Sequence, residues 1–129
     1  MSASPDIVRA TNFIELRRSV AGQSIHTIVM EVRETLRDGF VLLSMSTGGR
    51  ALPDSGAPSV WEPARGSYSA CVSRALAILD ALHLRGFARL APRVLETSPI
   101  DGARFVSFEE MQAARHEPIR AWERNALFG

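Results

Sequence analysis

Residues 67–86 read SYSACVSRALAILDALHLRG, a pattern that fits a helix and little else. Tyr68, Cys71, Val72, Ala75, Leu79 and Leu82 recur at helical spacing along one stripe. Leu76, Ala77, Ile78, Ala81 and Leu84 extend the apolar character beyond it, leaving Ser69, Ser73, Arg74, Asp80 and Arg85 as polar cover. A helix that is apolar around most of its girth is expected to pack on more than one side. Its ends are punctuated: Ser67 is an N-cap residue, and Gly86 suits the left-handed position just past a helix end. The rest of the chain must therefore be assembled around a central core helix.

A chain of 129 residues is sized for a single domain spanning 1–129. Such a domain buries roughly two-thirds of its unfolded surface, enough for a core without disulfides or metal. Formal charge is +1, so no overall field draws the chain toward nucleic acid or membranes. All fifteen basic residues are arginine. Bidentate guanidinium donors suit phosphate or carboxylate partners, but the plainer account of arginine beside abundant alanine is a GC-rich genome. The single cysteine, Cys71, excludes an internal disulfide. The opening MSASPDIVRA lacks the basic-then-apolar layout of a secretion signal, and no apolar run approaches the ~20 residues of a membrane span. These features predict a cytoplasmic protein without a membrane partner.

Upstream of the central helix, Ser4-Pro5-Asp6 reads as a helix start, with Ile7, Ala10, Phe13, Ile14 and Val20 along one face and Gly22 as the stop. A helix is expected over 5–21. Residues 24–37 fit a helix or a strand; richness in Val, Ile and Thr and the Asp38-Gly39 pair that follows favour a hairpin. Pairing through that turn would set Leu36 beside Val41, Glu34 beside Leu43 and Val32 beside Met45. The stretch 47–66 is rich in glycine and proline and reads as a long loop, in which Val60-Trp61 is placed to dock as a short strand or a plug.

Downstream, 87–92 reads as a connector, and 93–97 and 103–107 as short strands joined through Ser98-Pro99-Ile100-Asp101-Gly102. Ser107 and Glu110 form a capping box that opens a helix running to about residue 117, ahead of Pro118. A last short helix fits 119–128. The expected fold is α+β, in the order α-β-β-α-β-β-α. It is a two-layer sandwich with a four-stranded antiparallel sheet from two hairpins and helices on one face.

Three sets of residues are candidates for a site. Arg65, Gly66, Ser67 and Ser69 gather backbone donors, hydroxyls and a guanidinium at a helix start, where Arg50 could join them on a small anion. The plainer account is an N-cap beside a surface arginine, and the spacing matches no nucleotide-binding fingerprint. Arg85, Arg89 and Arg93 recur every four residues around Phe87, a small basic-aromatic footprint of the kind that binds nucleic acid. The plainer account there is a solvated connector. Trp61, Trp122, Leu127 and Phe128 are bulky groups in loop or terminal segments, either satellite core or anchors for a partner.

Catalytic signals are weaker. Cys71 lies on the apolar stripe, where a packing thiol is expected. His26, His83 and His116 are scattered, and neither metal nor other cofactor is expected. The leading expectation is a non-enzymatic interaction or regulatory module that binds a protein partner or a second copy. The alternative is a binder of, or enzyme on, a small anionic ligand. Nucleic-acid binding comes third.

Overall fold

The computed structural model describes residues 7–19, 25–36, 39–48 and 59–114. Within them the chain forms β1 (Ile7–Ser19), β2 (Ile25–Thr35), β3 (Gly39–Gly48), β4 (Ser59–Gly66), α1 (Tyr68–Leu84), β5 (Ala88–Arg89) and β6 (Arg104–Phe105). The strands make one six-stranded sheet in the order β4-β3-β2-β1-β5, with β6 also on β1. The β6 pairing is parallel and the others are antiparallel. This large sheet replaces the expected four-stranded sandwich, and its element order is not α-β-β-α-β-β-α.

The main correction is at the amino-terminal end, where the helix expected over 5–21 is instead strand β1, paired along its length with β2. A β-bulge between Ala10 and Asn12 explains why the sequence looked helical. The extra residue turns the strand over, so Val8 and Ala10 face one side of the sheet while Ile14 and Leu16 face the other. Two strand phases joined by a bulge imitate a helical stripe. Thr11 at the bulge donates its hydroxyl to the Val32 carbonyl at 2.8 Å.

The β2–β3 hairpin forms as expected, but in another register. Thr35 pairs with Gly39, Glu34 with Phe40 and Val32 with Leu42. Gly39, at φ +71, belongs to the first pair and not to a two-residue turn. One face then carries Ile28, Met30, Val32 and Leu42, and the other Val29, Glu31, Arg33, Val41 and Met45, all of them buried. At the far end Gly48 is obligatory: it sits at φ +78, and a Cβ would lie 2.1 Å from the Ile25 carbonyl oxygen.

Of the stretch read as a loop at 47–66, Thr47 and Gly48 complete β3, and 59–66 is strand β4 with Val60-Trp61 inside it. β4 pairs with β3 through a bulge that sets Trp61 opposite Ser44. Ser67 then caps α1, its hydroxyl accepting the Ala70 N–H at 3.1 Å, and Gly86 follows the helix at φ +91. Cys71, Ala75, Leu79 and Leu82 are buried against Leu16, Met30, Val32, Leu42 and Phe87. The expectation that α1 packs on several sides is not met. Leu76 and Leu84 are 56% and 90% exposed, because the sheet covers one stripe of the helix.

Beyond α1, the presumed connector contains β5. The second hairpin shrinks to a single bridge, Thr97 with Arg104, closed by Gly102 N–H on the Ser98 carbonyl at 2.9 Å. Its second arm joins β1 as the parallel strand β6. Ser107 caps a helix described over 108–114, accepting the Glu110 N–H at 3.2 Å; its expected continuation to about residue 117 lies outside the described residues. The expected last helix at 119–128 lies outside the described residues. Among the described residues, no helix is long and apolar enough to cross a membrane.

Candidate functional site

The anion candidate at the start of α1 is largely committed to structure. The Ser67 hydroxyl is taken by the Ala70 N–H, and Arg65 is paired with Glu62 at 2.6 Å. Gly66 and Ser69 are exposed, and Arg50 lies outside the described residues. Cys71, one turn into the helix, is fully buried, and burial followed by the Glu62 charge pushes its thiol up. It is a packing group that stays protonated at neutral pH.

The arginine run is dispersed by the fold. Arg85 follows α1, Arg89 is on β5, and Arg93 bonds Glu15 at 3.2 Å. Phe87, which would have to stack a base, is only 4% exposed. The Arg18 guanidinium lies 4.7 Å from its ring centre, and the His26 ring meets it edge-on at 5.0 Å.

Beside Phe87 is a pair that sequence reasoning missed. His26 Nε2 and Ser46 Oγ are 2.6 Å apart on the face that carries α1. The hairpin register brings them together: Ile28 pairs with Ser46 and His26 with Gly48, so His26 and Ser46 are diagonal neighbours on one face. Burial, followed by the Arg18 charge, lowers the His26 pKa and favours a neutral imidazole. An imidazole on a hydroxyl is the first half of a nucleophilic arrangement. No carboxylate orients the ring among the described residues, so the second half is missing.

A second buried cluster lies on the other face of the sheet. Glu31 and Arg33 on β2 form an ion pair and share Ser98, whose hydroxyl donates to the Glu31 carboxylate at 2.8 Å and accepts from Arg33 at 2.9 Å. Arg33 also bonds Asp101 at 2.7 Å. The cluster fastens the turn at 98–102 onto the middle of the sheet. Sequence reasoning saw only the Asp-Gly turn, because nothing local announces that a strand arginine sixty-eight residues away will hold its aspartate. Among the described residues, no group of His, Cys, Asp and Glu side chains is arranged to hold a metal ion.

Sheet edges supply the remaining candidates. Among the described residues β4 ends the sheet on one side, with Val60 and Trp61 52% and 46% exposed. Trp61 shares the α1 face with Ser44 and Ala64, while Val60 shares the opposite face with Met45, so the two straddle the edge. Trp122, Leu127 and Phe128 lie outside the described residues. No protein-family model matches the chain, and neither does any curated protein or solved structure.

Proposed function

We propose that the chain is a cytoplasmic, non-enzymatic interaction module that receives a protein partner at the β4 side of its sheet. The observation that supports this reading is the half-exposed pair Val60 and Trp61 on a terminal strand. Tryptophan is the residue most enriched at interface hot spots, where a few buried anchors carry most of the binding energy. β4 also carries Pro63 and the charged pair Glu62 and Arg65, devices that stop strand-to-strand addition. Contact there is therefore through side chains, with Trp61 as the anchor and Val60 beside it.

The experiment is affinity capture with the full chain and with Trp61→Ala. The reading expects a protein captured by the parent and lost by the variant, whose melting temperature stays close to the parent's. Equal capture by both, or loss of capture together with loss of fold, counts against it. The anion alternative has no comparable support, since its hydroxyl and its guanidinium are already engaged.

A further inference from the structure

On the opposite side of the sheet, the outer edge of β1 is only partly used. β6 pairs with Ile7 and Val8 at one end, where the Val8 carbonyl accepts the Val106 N–H at 3.0 Å. β5 pairs with Leu16 and Arg17 at the other, and the Glu15 carbonyl accepts the Leu90 N–H at 2.8 Å. Between them residues 9–14 have no strand on that edge among the described residues. Residues two apart on a strand turn their backbone groups to the same edge. Counting from Glu15 gives Phe13, and counting from Val8 before the bulge gives Ala10.

The interruption has a chemical cause. In the antiparallel register of β5, the residue after Leu90 that should donate to the Phe13 carbonyl is Pro92, which has no N–H. The chain leaves the edge there and rejoins it at β6, with Val94 97% exposed on the way. This opens a bay of about 370 Å³ between Ala10 and Phe13 on β1 and the walls Val94, Leu95, Phe105 and Val106. Its floor offers main-chain donors and acceptors, its walls are apolar but for Arg93, and the unpaired edge over residues 9–14 is about 20 Å long at ~3.4 Å per residue. The β5 end of the bay is basic. Arg17 and Arg89 at the β5 end are exposed and make no ion pair among the described residues. Arg93 and Arg104 are also exposed but are paired with Glu15 and Glu110, so the uncompensated charge is that of Arg17 and Arg89 at the β5 end.

We infer that this bay is a strand-addition site: an extended peptide segment of another protein, apolar at its centre and acidic at the end beside β5, pairs with β1 at Ala10 and Phe13. Backbone pairing supplies the attraction and the walls select apolar side chains, the usual division of labour in strand addition. The site is separate from the β4 surface, since β2 and β3 lie between the two edges.

The test is an NMR titration of the full chain with a blocked heptapeptide of alternating valine and threonine, flanked by aspartates. Saturable shifts and slowed exchange at the amides of Ala10 and Phe13 are expected, with at least tenfold weaker binding when alternate peptide nitrogens facing β1 are N-methylated. Replacing the aspartates by lysines, or making Arg17→Glu with Arg89→Glu, should weaken binding severalfold without unfolding the protein. Equal binding of the N-methylated peptide would overturn the inference, as would no shift at these amides up to about 1 mM peptide. Concentration-dependent protection of the same amides without peptide would assign the edge to a second copy and overturn it too.

Discussion

The Arg33 guanidinium on β2 and the Asp101 carboxylate are sixty-eight residues apart in sequence and 2.7 Å apart in space. Their bond joins the central hairpin to the turn at 98–102, which in turn sets β6 against β1. With Glu31 and Ser98 it forms the polar heart of a sheet face that is otherwise held by Val29, Val41 and Met45.

Removing Arg33 should therefore cost far more than a surface charge. Arg33→Met leaves the Glu31 carboxylate buried without its cation, a change that typically costs about 3–5 kcal/mol. Adding Glu31→Gln should recover much of the loss, because the uncompensated charge is then gone. Chemical denaturation of the two variants checks this. A double variant no better than the single one would mean that the guanidinium acts through packing alone.

Stability should also fall in acid through Asp101. Burial opposes its charged form, but the Arg33 hydrogen bond and charge, with the Ala103 N–H and Ser98, prevail and hold the carboxyl below its ordinary value. A group depressed in the folded state stabilises above its unfolded pKa of about 3.9 and loses that contribution as pH falls toward the folded value. Melting temperature should drop below about pH 4. Asp101→Asn should be less stable near neutrality and should lack that part of the acid dependence.

His26 titrates in the same direction but at higher pH. Burial and then the Arg18 charge favour its neutral ring, so its stabilising effect is present above the unfolded pKa of about 6.5 and fades as pH drops through it. The proton signals of the His26 ring should titrate below those of an unfolded histidine. Arg18→Gln should bring that midpoint up. An unchanged midpoint would remove Arg18 as a cause.

Along α1 the two faces should respond oppositely. Leu79→Ala opens a cavity under the helix and should cost about 2–5 kcal/mol. Leu84→Ala, at a position 90% exposed, should stay within about 0.5 kcal/mol of the parent. Similar losses at both positions would contradict the one-sided packing of the helix.

How far the sequence revealed this fold depended on whether each element carried a local signal. α1 was legible from its cap at Ser67, its stop at Gly86 and its apolar stripe. The β2–β3 hairpin was legible from its β-branched residues and Asp38-Gly39, although Gly39 took a place in the ladder and shifted the register. β1 was not, because a bulge erases the period of two on which strand reading depends. β5 and β6 are too short to show any period, and their pairing is decided by the edge of β1. Of the candidate site, Trp61 stood out in the sequence as a bulky group outside the core. The His26–Ser46 pair and the open edge at Ala10 and Phe13 did not, since both exist only once the strands are in register.

The central claim is that a protein partner docks on Trp61. Photo-crosslinking with a reactive aromatic amino acid at position 61, and separately at position 84, tests it directly. Leu84 is the more exposed of the two, so indiscriminate apolar adhesion would favour crosslinking there. The account predicts a discrete protein adduct from position 61, competed by excess unmodified chain, and none from position 84. Adducts from position 84 alone, or the same mixture from both positions, would contradict it.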